Sequence, residues 1–169
     1  MLLMELALAG TALAGDLPMN QGTIELGGRA TANIVMSGGN TDLYLDLSPQ
    51  IGYFVGRRIE LLGGVSMLVN DNDLDVGFYG GVDVFLRANH LSPYLGGTLG
   101  YATGAFGPTP WAYAVGADVV TLSGRGGLVL PVSNSVGVDL GARLNVNIPD
   151  GGNSWVHLPL GYLGIRAFL

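Results

Sequence analysis

The chain of 169 residues contains no cysteine and no lysine. The first absence removes disulfides, thiolate metal ligands and cysteine nucleophiles together. The second leaves arginine as the only strong base, seven copies against 13 Asp and Glu, for a formal net charge of −6. That balance speaks against nucleic acid as a partner, because phosphate backbones call for basic patches. Charge of either sign is scarce: 12% of residues carry it and 49% are hydrophobic, where ordinary soluble domains are roughly 25% charged. A soluble barrel needs an outer surface about 25–35% charged, and this composition does not supply one. Also missing is any apolar run near the ~20 residues of a spanning helix. The 29 glycines interrupt every candidate. Backbone groups in lipid must pair internally, and a closed β-barrel is the other way to achieve that.

What the sequence has instead is alternation. From Val136 to Ile148, the residues Val136, Val138, Leu140, Ala142, Leu144, Val146 and Ile148 alternate with Gly137, Asp139, Gly141, Arg143, Asn145 and Asn147. A β-strand sends successive side chains to opposite faces, so this segment is a two-faced strand. At about 3.4 Å per residue it reaches roughly 40 Å, enough for a tilted path through a bilayer core of about 30 Å.

Comparable segments run over about Thr23–Met36, Leu43–Val55, Ile59–Asn70, Leu74–Arg87, Pro93–Thr103 and Trp155–Leu169. Pro49 falls in the apolar row of the second, where a bulge or distortion is expected. A sixth strand starts near Trp111 with Tyr113, Val115, Ala117 and Val119 in phase. Its alternation then breaks over 121–127, read as a bulge or a short inward excursion, before Leu128 and Leu130 resume on the other parity. Glycine-, proline- and Asn/Asp-rich stretches separate the strands, Gly104–Pro110 being the longest. The expectation is an all-β fold: an eight-stranded antiparallel up-and-down transmembrane β-barrel over residues 23–169. Residues 15–22 form a lead-in, and residues 1–14 read as a signal peptide or an N-terminal helix. Ala12-Leu13-Ala14 has the small-x-small form of a cleavage site, but Glu5 stands where a basic residue is expected.

Composition also decides which face meets lipid. Eight strands enclose a lumen just wide enough to be filled by side chains, too narrow for the bulky apolar row. The small and charged row belongs inside, as a mutually paired network of Glu25, Arg29, Asp46, Glu60, Asp75, Asp83, Arg87, Asp118, Asp139, Arg143 and Arg166, since isolated charges there would be costly. That predicts a side-chain-filled lumen without a sizeable channel. An ion path through the same residues is the competing reading. Tyr53, Tyr101, Trp111, Tyr113 and Trp155 fall on the apolar row near strand ends and are expected to form aromatic belts.

No catalytic, metal-ligating or cofactor-binding set emerges. His157, on the apolar parity of the last strand, stands far from His90 on this layout, and no glycine cluster opens onto a helix as a phosphate loop would. Asp150, Ser154 and His157 lie close in sequence, the minimal make-up of a rim hydrolase. Ser and Asp are equally ordinary turn residues, and the chain is read as a non-enzyme.

The eight alternating strands, the inward Asp139/Arg143 spacing and the C-terminal Tyr162-Leu163-Gly164-Ile165-Arg166-Ala167-Phe168-Leu169 resemble the small outer-membrane β-barrel proteins of the OmpX and OmpA-transmembrane-domain type. The resemblance covers roughly Gly22 to Leu169. Members typically end in an aromatic residue; here Phe168 is penultimate. The resemblance implies a location in the bacterial outer membrane with lipid as the surrounding partner. A structural or partner-docking role then stands beside a narrow pore and, further off, a lipid-modifying hydrolase. No protein partner is named by the sequence.

Overall fold

The computed structural model describes residues 16–37, 40–70, 73–87, 91–102, 118–151, 153–159 and 161–169. The side chains of 33–37, 40–44, 68, 70, 73–75 and 155 fall outside that description. Outside it too are residues 1–14, His90, the Gly104–Pro110 loop and the expected belt positions Trp111 and Tyr113.

Nine strand segments follow one another: β1 (Ile24–Ser37), β2 (Asn40–Gly56), β3 (Ile59–Asn70), β4 (Asp73–Phe85), β5 (Ser92–Ala102), β6 (Val119–Pro131), β7 (Val136–Pro149), β8 (Trp155–His157) and β9 (Tyr162–Phe168). Each strand pairs antiparallel with its sequence neighbour from β1 to β7. Both β8 and β9 pair with β7, filling the eighth position in succession. Rungs from Glu25↔Phe168 to Ala30↔Leu163 then join β9 to β1 and close the ring. The result is a closed eight-stranded antiparallel barrel, which abolishes the exposed edges an open sheet would carry. The "terminal end" below is the one where β1 begins and β9 finishes; the other is the distal end.

The apolar row faces outward. Leu26, Ile51, Leu61, Phe78, Leu95, Leu99, Leu122, Leu144, Leu163 and Ile165 are all exposed, while Glu25, Glu60, Asp83 and Asp139 are fully buried. Soluble monomers rarely expose contiguous apolar patches beyond a few hundred Å². Here such a surface wraps the barrel on every strand with described side chains.

Two expectations about phase need correction. Residues 121–127 are neither a bulge nor an excursion. β6 pairs with β7 in one unbroken register from Val119↔Pro149 to Pro131↔Gly137. Val120, Leu122, Leu128 and Leu130 face out, while Val119 and Arg125 are buried inside. The outward positions between them are Gly124 and Gly126, which give no apolar signal, so the even phase was hidden in the sequence. In the last strand the phase reverses instead. Val156 and Leu158 are exposed on even positions, Leu163 and Ile165 on odd ones. The register with β7 steps by one residue between Asn145↔His157 and Gly141↔Tyr162. His157 therefore lies on the inward side, half-buried, not on the apolar row.

At Pro49 the distortion is a missing rung. Gly28↔Pro49 keeps the β1–β2 register, and the β2–β3 register is the same at Leu47↔Met67 and Gln50↔Gly64 with nothing paired at 48 and 49. The register shift in this hairpin lies lower, between Phe54 and Gly56. The Tyr79 hydroxyl lies 3.3 Å from the carbonyl oxygens of both Ser48 and Pro49, offering a donor where the ladder supplies none.

Inward glycines make room for large neighbours across the ladder. Tyr162 pairs with Gly141, Tyr94 with Gly127 and Asp83 with Gly96. A Cβ at any of those glycines would overlap the facing ring or carboxylate. Outward Gly124, one strand away, has nothing within 4 Å of a built Cβ. Gly141→Ala should therefore lower the unfolding free energy by about 1–3 kcal/mol through overpacking, read from the urea midpoint of the refolded protein in detergent. Gly124→Ala should leave that midpoint within about 0.5 kcal/mol; equal effects would contradict the close ring–glycine packing.

Candidate functional site

The lumen is layered along its axis. At the terminal end lies an apolar floor of Leu17, Met19, Phe54, Phe85, Tyr94, Val129 and Phe168, all buried. Ring centroids are 5.7 Å apart for Phe54–Phe85, 6.1 Å for Phe54–Phe168 and 5.4 Å for Phe85–Tyr94. The lead-in supplies Leu17 and Met19 by folding across the barrel mouth. It is tied there by Arg58 N–H to Met19 O at 3.1 Å, Gly22 N–H to Phe54 O at 2.9 Å and the Thr23 hydroxyl to Pro18 O at 2.6 Å. The sequence reading gave this segment no role; its short Leu-Pro-Met pattern has no alternation long enough to register.

Above the floor sits an ion lattice centred on Arg166, 1% exposed. Its Nη1 donates to Glu60 at 3.0 Å and Glu25 at 3.3 Å, its Nη2 to Asp83 at 2.9 Å and its Nε to Asp139 at 2.9 Å. The guanidinium also stacks on Tyr94 and Phe85, with its carbon 4.7 and 5.3 Å from the ring centroids. Two more arginines flank it. Arg125 Nε donates to Asp83 at 2.8 Å, and Arg29 Nε to Asp139 at 3.1 Å. Tyr94 donates its hydroxyl to Asp139 at 2.8 Å and is hydrogen-bonded to Tyr162. Gln50 donates to Glu25 at 3.0 Å. Charge-assisted bonds of this kind are roughly twice as strong as neutral ones. They offset the desolvation that makes a lone buried ion prohibitive.

Toward the distal end the filling stops. A cavity of about 130 Å³ is lined by Arg29, Arg125 and Arg143, by Asp46, and by a wall of hydroxyl and amide side chains that includes Tyr79, Thr121, Ser123, Asn145 and Asn147. Arg143 donates to Asp46, and Ser48 donates to the same carboxylate at 2.9 Å. The expectation of a lumen filled throughout is thus corrected: among the described inward side chains, large ones occupy the terminal half, while Ser, Thr and Asn of the distal half leave space.

Of the network read from the sequence, Glu25, Arg29, Asp46, Glu60, Asp83, Asp139, Arg143 and Arg166 lie inside and are paired. Arg87 does not. It lies two residues past the end of β4 and is exposed at the terminal end, where the strand has already stopped. Asp118 is not inside either; it precedes β6 and accepts the hydroxyl of outward-facing Tyr101, because the true phase of β6 puts even positions outside. The side chain of Asp75 lies outside the described residues. Tyr53 and Tyr101 are exposed on the outer face; Trp155 has no described side chain. Arg125 was missed, having been assigned to the supposed phase break. Its signal was present: counted back from Leu128 and Leu130, position 125 has inward parity.

Asp150 and Ser154 are exposed, and the buried Nδ1 of His157 has no hydrogen-bond partner. No Ser-His-Asp relay forms among the described residues. No group of His, Asp and Glu among them is arranged to hold a metal.

The sequence matches no protein-family profile and no curated protein. Its fold does have a counterpart among solved structures. The N-terminal β-barrel domain of Pseudomonas aeruginosa OprF superposes with a TM-score of 0.60 at 14% identity, covering 88% of this chain and 98% of that domain. At that identity the likeness carries the fold alone, a closed eight-stranded barrel of the outer-membrane type.

Replacing Arg166 by Met should cost about 3–5 kcal/mol of stability in detergent-refolded protein, since buried Glu25 and Glu60 would lose the cation they pair with while Asp83 and Asp139 kept Arg125 and Arg29. Arg57→Met, at an exposed turn position, should change the urea midpoint by no more than about 0.5 kcal/mol. A tolerated Arg166→Met would show that the lattice does not hold the barrel together.

Proposed function

We propose that this chain is an integral barrel of the bacterial outer membrane whose closed terminal half makes it a structural or partner-docking element of the envelope. The outward apolar band is suited to surrounding lipid, and the OprF-type fold supports that placement. The ionic side chains of the Arg166 lattice are then enclosed, where each finds a partner and none meets acyl chains.

The observation that carries the closed-barrel reading is the stacking of two barriers across one lumen. The apolar floor with Leu17 and Met19 lies below the Arg166 lattice, and every residue of the floor is buried. A conducting path would have to break several charge-assisted bonds and displace the lead-in segment. The narrow-pore reading draws support only from the distal cavity, which accounts for half a path. A hydrolase reading has no assembled residues to rest on.

Reconstitution into planar bilayers should give no steady conductance, and the protein should fractionate with outer membranes. Reproducible open channels from the unaltered chain would contradict the closed lumen. Small cation-selective currents abolished by Asp83→Asn would establish the pore instead.

A further inference from the structure

Unmet hydrogen-bonding groups in the lumen are segregated by kind. Arg29 Nη2, Arg125 Nη2, Arg143 Nε and Asn147 Nδ2 are buried donors without a hydrogen-bond acceptor, and all four residues line the distal cavity; the Arg29 and Arg125 atoms are ion-paired with Asp83 at 3.8 and 2.7 Å, while Arg143 Nε and Asn147 Nδ2 meet no partner. The unmet acceptors, Gln50 Oε1 and Glu60 Oε1, belong to the lattice around Glu25, and neither they nor His157, whose Nδ1 is also unmet, line the cavity. The wall chemistry deepens the asymmetry. Thr121 donates its hydroxyl to Asn147 Oδ1 at 2.8 Å, and Ser123 donates to Asn145 Oδ1 at 2.7 Å. The hydroxyl protons are thereby used on amide oxygens, which leaves the amide nitrogens as donors. Among the described charged lining residues, three arginines face a single carboxylate, Asp46, which already accepts from Arg143 and Ser48. The carboxylates that balance Arg29 and Arg125 lie deeper, in the lattice.

A buried donor left without an acceptor is unfavourable, and guanidinium forks match the oxygens of phosphate and carboxylate groups. We infer that the distal cavity is a binding site for an oxyanion of the phosphate class, held by Arg29 and Arg143 with Asn147. Its volume of about 130 Å³ admits such a group with some accompanying water. The anion arrives either as free phosphate or as the headgroup of an amphiphile. Val76, Phe78 and Tyr101, whose side chains are exposed on the outer face, also border the cavity, which sets it beside the apolar exterior where the chain of an amphiphile would lie. This site is independent of the closed floor and stands whether or not the barrel conducts.

The test uses the full chain refolded in nonionic detergent, with folding of every variant checked by heat-dependent electrophoretic mobility. Two probes are titrated by phosphorus NMR: inorganic phosphate, and dodecyl phosphate mixed into the micelles. Saturable binding of inorganic phosphate supports a free-anion site; binding of dodecyl phosphate alone supports a headgroup site. In either case Arg143→Gln and Asn147→Asp should weaken binding by about tenfold or more, the size expected for losing or opposing a charge-assisted contact. Asp46→Asn should tighten it, because the carboxylate that opposes an anion among the described lining residues is neutralised; a merely structural Asp46 would not produce that gain. Arg57→Gln, at the opposite end, should have no effect. The proposal is overturned if the folded protein binds neither probe, or if Asp46→Asn weakens binding or leaves it unchanged.

Discussion

Arg166 is enclosed by Glu25, Glu60, Asp83 and Asp139, contributed by β1, β3, β4 and β7, while it stands itself on β9. One guanidinium thus ties together strands from most of the ring, and its burial is tolerable only while those carboxylates surround it. The consequences run outward from there. The lattice must occupy the lumen, so the ionic parity of each strand faces in. The opposite parity, mostly Leu, Val and Ile with glycine, alanine and a few aromatics between, is then left on the surface, an exterior suited to lipid. Glycine follows from the same constraint, because a narrow eight-stranded lumen fits Tyr94, Tyr162 and Asp83 only if the positions across the ladder have no Cβ.

The lumen that results is asymmetric. Aromatic rings and two lead-in side chains close the terminal end, the ions fill the middle, and short polar residues line the distal space. Sealing and hollowness come from the same alternating pattern, differing only in side-chain size at inward positions. Phe54, Phe85 and Phe168 occupy the inward parity near the terminal end; Thr121, Ser123, Asn145 and Asn147 occupy it distally. This division makes a closed barrier and a ligand-sized cavity compatible within one barrel.

Much of this was legible from alternation. The strand parity of β1, β3 and β7, the enclosure of Glu25, Glu60, Asp139 and Arg166, and the eight-strand count all follow from period two, which strands cannot escape. Legibility failed where the outward row lost its apolar side chains. Gly124 and Gly126 hid the phase of β6, so Arg125 was overlooked and Asp118 was placed inside. The one-residue step before β9 turned His157 from the outer to the inner side, and no local sequence marks such a step. Arg87 was misplaced because alternation continues past the hydrogen-bonded end of β4. The lead-in was unreadable for a different reason: Leu17 and Met19 are fixed by tertiary contact with Phe54 and Arg58, not by any pattern of their own.

The account rests on which side of the wall each parity occupies, and the absence of native cysteine makes that directly measurable. Single cysteines at Leu140, Leu144, Asn145 and Asn147 on β7 would carry nitroxide labels in protein reconstituted into lipid vesicles. Collision rates with oxygen, which concentrates in lipid, should be high at Leu140 and Leu144 and low at Asn145 and Asn147. The reverse pattern, or folded protein that stays dispersed in buffer without amphiphile, would contradict the enclosed-ion architecture.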